Sequence, residues 1–339
     1  MLYAGCDLHK KTITVCVMNQ SRQIVHRKRL YCADEAGIRA FFEGLGKYQA
    51  VVEATASYEW FVRLLEPSAD RVLLAHPKKL RVIAESTRKS DKLDAQVLAE
   101  FLALDMIPTS YRPTPRQREH RRLVRQRDGI QKRVTSVKNR IRRILTDYNA
   151  DFEGLFTIVG LHKLATISLS DADRFAVDQM LEEYRLYRRQ LKAAEAKLVE
   201  FAHSAPSVER EQRALLRSIP GVGFVTSEVV LAEIADIRRF ASQKKVTAYA
   251  GLSPGQRESA GKSRDLHLEK NGSKLLRKIL TESAWQLVRY SARWKGYYER
   301  LKVRLKAKKA IVAVARRLLC MITAILKSGQ PYSPTYQPS

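Results

Sequence analysis

Four carboxylates in the first third of the chain have the types and positions to hold hard cations. In STRKSDKLDAQVLAEF, residues 86 to 101, Asp91 and Asp94 stand three apart at the head of an apolar-periodic run. On a helix that spacing puts both on one face, with Cβ atoms roughly 5–6 Å apart. Glu53 lies in AVVEA, a buried-strand pattern in which a lone carboxylate is costly without a partner. Asp7 closes the apolar run at the start of the chain. Four such groups from three elements can meet at one end of a sheet. Like charges that close need a cation between them or raised pKa values. An all-oxygen donor set suits Mg²⁺ or Mn²⁺, and two such ions about 4 Å apart would clamp a phosphodiester for in-line attack. The same residues admit a plainer reading: Asp91 as a helix N-cap, Asp94 as an exposed helical acid, and Glu53 paired with an arginine.

The elements needed to position these acids are legible around them. Residues 2 to 8 form an apolar run, and Ile13, Val15 and Val17 alternate with Thr14 and Cys16 as in a half-buried strand. Residues 23 to 31 read as a third strand after the turn at Asn19 to Ser21, giving an antiparallel meander. A helix is expected over 35 to 44. AVVEA and RVLLAH, residues 71 to 76, read as buried strands with a helix between them. A last helix, opened by Ser90 or Asp91, closes near 104. The expectation is an α/β domain with a mixed sheet inside and helices outside.

Bulk composition narrows the partner. The 339 residues suffice for two or three domains, and the formal net charge is +27. Such an excess predicts a large polyanion as partner, DNA or RNA before an anionic membrane surface. No run of about 18 apolar residues spans a bilayer, and the first residues read as a strand rather than a secretory signal. Cys6, Cys16, Cys32 and Cys320 show no CxxC spacing and fit a reduced cytosolic chain.

Pro108, Pro113 and Pro115 mark a linker, after which a basic helix carries twelve Lys or Arg between Arg116 and Arg143 against Glu119 and Asp128. Its apolar positions include Ile130, Val134, Val137, Ile141, Ile144 and Tyr148. Val177, Met180, Tyr184, Tyr187, Leu191, Ala194, Leu198 and Phe201 then step three and four in the seam of a coiled coil. This arm is expected to pack on itself or on another subunit. SIPGVG, residues 218 to 223, joins two helical patterns like a helix-hairpin-helix turn, whose N–H groups around Gly221 and Gly223 suit a DNA phosphate; an ordinary tight turn is the alternative. From Lys262 to Arg317 there are seventeen Lys or Arg against four acids, interleaved with Trp285, Tyr290, Trp294, Tyr297 and Tyr298. Basic and aromatic residues together suit phosphate contact and stacking, although aromatics at helical spacing also build cores.

GCDLHKKTITVCV, VVEATASYEW and KSDKLDAQVLAEF resemble the DEDD signature of the "one-ten" group of bacterial insertion-sequence transposases, recombinases guided by a bridge RNA. SIPGVGFVTSEVVLAEIADIRRFASQKKVTAYAGLSPGQRESAGKSR resembles their C-terminal transposase domain, and the likeness runs from about residue 3 to 330. The resemblance implies an RuvC-like first domain of RNase H fold over 1–108, a basic helix and coiled-coil arm over 109–205, a mainly α transposase domain with a helix-hairpin-helix-like element over 206–330, and a tail over 331–339. It implies that Asp7, Glu53, Asp91 and Asp94 are the metal-binding acids. It also implies a serine nucleophile that forms a covalent phosphodiester with DNA, in a composite site with acids from one protomer and serine from another.

Ser253, Ser259 and Ser263 compete for that role. Ser253, in GLSPG, matches the G-x-S-x-G elbow formally, but Pro254 and the polar loop after it supply no strand-to-helix turn. Chemistry alone leaves Ser259 and Ser263 open; the resemblance chooses Ser259. Arg257, Lys262 and Arg264 flank it and can neutralise phosphate charge, as Arg121, Arg125, Lys138 and Arg142 can on the basic helix.

The expected activity is DNA cutting and rejoining for a mobile element, in the bacterial cytoplasm at the nucleoid. Expected partners are donor and target DNA, a structured guide RNA and further copies of the chain, a dimer or a tetramer in the active complex. A metal-dependent junction endonuclease using water, and a non-enzymatic nucleic-acid scaffold, are the competing functions.

Overall fold

A computed structural model of the chain describes residues 1–54, 58–77, 79–80, 91–259, 262–268 and 272–333, with the backbone alone at 91–93, 254–259 and 262–268. The chain divides into two compact units, Met1–Arg112 and Pro113–Ser339. The first extends past the boundary expected at 108. Thr109 bridges Ala75, the Ser110 N–H donates to Leu74 O, and Arg112 pairs with Glu59 and Glu66. These contacts tie the segment between the prolines to the first unit.

The first unit is a five-stranded sheet ordered β3-β2-β1-β4-β5. Strands β1 (Leu2–Leu8), β2 (Thr12–Met18) and β3 (Ile24–Tyr31) form the antiparallel meander, while β4 (Tyr48–Glu53) and β5 (Arg71–Ala75) run parallel to β1. This order agrees with an RNase H-like first domain. Composition explains the placement. YQAVVE is nearly continuously apolar, as a parallel strand covered on both faces must be. IVHRKRLY is exposed at all but one position, and its charges guard the sheet edge. Helices α1 (Glu35–Glu43) and α2 (Glu59–Leu65) cover one face, where Ala4, Cys6, Ala50 and Val52 meet Ile38, Phe42 and Phe61. Helix α3 (Asp91–Ala103) covers the other, with Leu98 and Leu102 against Val51 and Ala75, and Ala95 and Ala99 against Cys16 and Met18.

Apart from a two-stranded ribbon of β6 (Pro254–Ser259) and β7 (Lys262–Leu268), the regular elements of the second unit are helical. Helix α4 (Pro115–Asp147) starts with a capping box of Thr114 and Gln117 and proline in its first turn. Helix α5 (Ile158–Thr166) is short, and α6 (Asp171–His203) is the second long helix, capped by Ser170. The predicted seam is satisfied inside the chain. Val177, Met180 and Tyr184 pack with Val134, Val137, Ile141 and Leu145 of α4. At the far end the Tyr148 hydroxyl donates to Asp173 Oδ2 at 2.6 Å. The arm therefore closes on itself, and its apolar seam is not a free surface for another subunit.

The arm and the C-terminal region, expected as separate domains, lie in one unit. Helix α4 serves both cores, with Val124 in the C-terminal one and Val134 onward in the arm. That second core surrounds α8 (Phe224–Ile234), buried at every position from Thr226 to Ile234. Around it lie α7 (Ser207–Arg217), α9 (Gln243–Tyr249), α10 (Lys274–Tyr290) and α11 (Ala292–Ser328). Glu228 and Glu233 are enclosed with the rest of α8 and must be paired. Arg213 donates to Glu228 at 2.7 and 3.0 Å, and His120 Nε2 stands 2.8 Å away in an ion-pair contact rather than an aligned hydrogen bond. Arg125 and Ser273 take up Glu233. Among the described residues no helix is long and apolar enough to cross a membrane.

Burial alone would raise the Glu228 pKa, but His120 and Arg213 hold it below the usual carboxylate range. Its contribution to stability is therefore complete above the unfolded value of about 4.3 and disappears as pH falls through the lower folded value. Glu228→Gln leaves Arg213 buried without its anion and is expected to cost roughly 3–5 kcal/mol at neutral pH. Urea unfolding of both proteins from neutral to acid pH checks this: the gap narrows only once the native carboxylate protonates.

Candidate active site

Asp7 and Glu53 are brought together by register. Strands β1 and β4 are parallel and pair Cys6 with Val52, so the next residues, Asp7 and Glu53, stand side by side at the strands' C-terminal ends. Neighbouring strands lie about 4.8 Å apart. Both positions are on the α3 face, since alternate residues Cys6 and Val52 belong to the opposite core. Asp7 is buried, and its Oδ2 lies 2.9 Å from the half-exposed His9 imidazole.

Helix α3 brings the other two acids to the same end. A side chain at Gly5 would collide with the Ala95 carbonyl and the Ala99 N–H, so the helix rests on bare strand backbone there. Tyr3 packs beside Leu98 and Leu102, so the helix runs against the direction of β1. From Gly5 to Asp7 the strand advances about 7 Å. On a helix rising about 1.5 Å per residue, that distance is roughly four to five residues back from the Ala95 and Ala99 contact. There lies the first turn of α3, which holds Asp91 and the exposed Asp94.

The described helix begins at Asp91; Ser90, Arg88 and Lys89 lie outside the described residues, as does the Asp91 side chain. Among the described residues no three carboxylates, imidazoles or thiols form a cluster that could hold a metal ion. The donor set nonetheless fits a hard cation: carboxylate oxygens only, two of them from adjacent strand ends, with a helix N-terminal turn level with them. Cys6, next to Asp7, contributes no thiolate, because burial and then the Asp7 charge push its pKa far up.

His9 was not foreseen from the sequence. Its signal is the spacing in DLH, which at a strand end returns the side chain to the side of Asp7. Nor was the role of Gly5 foreseen, although a glycine inside a strand pattern signals close approach of another backbone.

The serine candidates lie in the second unit. Ser253 precedes β6 and its hydroxyl is 3.0 Å from the Thr247 hydroxyl, so GLSPG forms no strand-to-helix elbow. Ser259 ends β6 as the Cα partner of Lys262, and Arg257 partners Arg264. Those four positions share one side of the ribbon, while Ser263 partners Glu258 on the other. The side chains of these residues, and residue 260, lie outside the described ones.

The four basic residues picked on α4 are engaged within the fold. Arg121 donates to the carbonyls of Ala232 and Glu233, and Arg125 pairs with Glu233. Lys138 sits 4.7 Å from the Phe156 ring centroid, and burial, then Arg188 and Arg142, lowers its pKa. Arg142 pairs with Asp151 at 2.6 Å. Gly221, with φ +77°, brings the 218–223 turn against α10, where a side chain would meet Gln286 Cβ and the Leu287 N–H at 3.2 Å. Gly223 caps α8.

Two family models match the chain. The model of the DEDD transposase of IS110 matches residues 4–150, and that of the Transposase IS116/IS110/IS902 family matches residues 213–299. The first stretch holds the acids and the second the ribbon. The transposase for insertion sequence element IS1111A of Coxiella burnetii is 26% identical over 97% of this chain and 90% of its own length. The transposase for IS1533 of Leptospira borgpetersenii is 25% identical over 84% of this chain and 85% of its own. The pilin gene-inverting protein of Moraxella bovis is 23% identical over 97% of both.

Gly5→Ala should force α3 away from β1 and cost about 1–3 kcal/mol, as overpacking does. Gly129→Ala, a helical position with open space around it, is the control and should be neutral or slightly stabilising. Thermal melting and DNA cleavage, compared side by side, should show both lost ground and lost activity for the first substitution only.

Proposed function

Because the chain belongs to the IS110 family of transposases, we propose that it cuts and rejoins DNA through a phosphoserine intermediate on Ser259. Asp7, Glu53, Asp91 and Asp94 hold Mg²⁺ or Mn²⁺ in this reading. The observation that carries it is the β1–β4 register, which sets Asp7 beside Glu53 at the end where the first turn of α3 arrives. When bound, divalent ions there would polarise the scissile phosphate and stabilise the leaving oxygen.

The chain's own residues do the rest. Ser259 Oγ attacks phosphorus, the bond from phosphorus to one sugar oxygen breaks, and that oxygen leaves with a proton. A sugar hydroxyl from the exchanging strand then attacks the serine phosphodiester, restores a DNA phosphodiester and returns the proton to serine. Arg257, Lys262 and Arg264, on the Ser259 side of the ribbon, balance phosphate charge. Ser263 shares its side with Glu258, an acid that would repel the phosphate. The register therefore supports Ser259 on charge grounds.

Donor and target DNA are the substrates. A structured guide RNA is the further partner in this reading, in keeping with the net charge of +27. As the family resemblance implies, the active form in this reading is an assembly of several chains, a dimer or tetramer, acting at the nucleoid. Nucleic acid extracted from the purified protein and sequenced tests the guide.

Ser259→Ala should abolish covalent protein–DNA adducts in a denaturing gel, whereas Ser263→Ala retains them. A hydrolytic endonuclease would keep cutting after the first substitution, and that outcome sinks the serine mechanism. Asp7→Asn should weaken Mn²⁺ binding in calorimetry by at least about tenfold, the scale seen when a site's supporting groups are lost. A scaffold whose acids only cap and pair would titrate identically in both forms.

A further inference from the structure

Helix α6 has two faces with different fates. Val177, Met180, Tyr184, Leu191 and Leu198 are buried by the rest of the unit. On the opposite side Phe175, Gln179, Glu182, Leu186, Arg189 and Ala193 recur every three or four residues, and all six are exposed. This is a second seam on the same helix, at coiled-coil spacing, that the fold does not use. Phe175 is 68% exposed and Leu186 42%, two large apolar side chains in an otherwise polar stripe.

Charge is sorted along α6 rather than mixed. From Asp171 to Glu183 there are five acids and one base, Arg174; from Arg185 to Lys197 there are five bases and one acid, Glu195. Some of these charges serve the fold. Asp173 accepts from Tyr148 and Ser170, Glu183 meets Arg140, and Glu195 takes Arg127. Asp178, Glu182, Arg185 and Arg189 make no hydrogen bond or ion pair among the described residues. The helix macrodipole favours acids in the first turn and bases in the last. It does not reach Asp178 and Glu182, or a basic block that begins in mid-helix.

The pattern selects its own partner. A nucleic-acid strand laid along this face would be repelled by the acidic half. A parallel copy of the helix would set acid on acid and base on base. A copy turned end for end sets each acidic half on a basic half, twice in one two-fold pair. Centred near Leu186, that alignment brings Glu182 of each copy beside Arg189 of the other. It also lays Phe175 over the stretch holding Ala193 and Ala196, both small and exposed, where a ring has room.

We propose that this outer face of α6 is the docking surface for a second copy of the chain, whose α6 lies antiparallel on it. The inference rests on the reading that the active form holds several chains, and it names the face that joins two of them.

The test uses the nuclease-treated full chain in sedimentation equilibrium at fixed salt. The parent should dimerise. Glu182→Arg and Arg189→Glu each create two symmetry-related like-charge contacts and should each weaken dimerisation at least about tenfold. The chain carrying both substitutions should regain most of that loss, because opposite charges meet again. Leu186→Glu, which puts two carboxylates near the axis, should weaken the dimer as well. Lys308→Glu makes the same charge change as Arg189→Glu at an exposed position outside α6 and should leave the constant unaltered. All five positions are on the surface, so far-ultraviolet circular dichroism should match the parent in every variant. A parent that stays monomeric at every concentration overturns the assembly reading and this face together. A dimer that the three single α6 variants leave intact overturns the face alone, and so does a double variant whose losses add instead of cancelling. Unchanged dimerisation with weakened duplex binding in Arg189→Glu would assign the basic half to nucleic acid and likewise overturn the docking surface.

Discussion

Carboxylates on neighbouring strand ends repel one another, and the register of the first unit places two of them, Asp7 and Glu53, side by side. Parallel register leaves Asp7 and Glu53 no freedom to separate, because each is fixed by the strand residue before it. Helix α3 is pressed against β1 at a glycine, and the absence of a side chain there lets helix backbone approach strand backbone. A small displacement would carry the first turn of the helix away from the strand ends. The adjacency of Asp7 and Glu53 is thus a consequence of strand register, and the apolar contacts of Leu98 and Leu102 with Val51 and Ala75 hold α3 on the same face. A cation bound there would relieve that repulsion.

The opposite problem shapes the second unit. Its cationic surplus is not all available to a polyanion, since the fold uses part of it to neutralise buried acids. Glu228, Glu233 and Asp128 each recruit basic partners from elsewhere in the unit, among them Arg213, Arg125 and Lys278. Arg121 and Arg239 donate instead to backbone carbonyls near the end of α8. Net charge therefore overstates the binding surface. Sequence charge alone does not identify which of these cations a polyanion would meet.

Much of the first unit was legible in the sequence because its strands are short, apolar and separated by turns. The meander, the two parallel strands and the helix opening at Asp91 all follow from period and composition. That Asp7 and Glu53 stand on neighbouring strands was legible only as a possibility, since period says which side of a strand a residue takes but not which strands are neighbours. In the second unit the seam from Val177 to Phe201 was visible, but its partner was not: heptad spacing is the same whether the facing helix belongs to the same chain or another. Arg121 and Arg125 illustrate a further limit. On sequence they belong to a basic stripe, and only the fold reveals the buried glutamate and carbonyls they serve.

In the proposed mechanism phosphodiester exchange is nearly balanced in energy, one phosphate ester being made for each one broken, so the protein's task would be to hold the covalent intermediate rather than to drive the reaction. A serine remote from the acids in sequence, and in a different compact unit, suits that task. A nucleophile permanently seated among metal-binding carboxylates would face electrophilic phosphate and activated water in the same place, and hydrolysis would compete with rejoining. On that reading, separating the two groups would make cleavage conditional on assembly with DNA. The ribbon register keeps the Glu258 position on the side opposite Arg257, Ser259, Lys262 and Arg264, so in that mechanism its charge would stay away from an approaching phosphate.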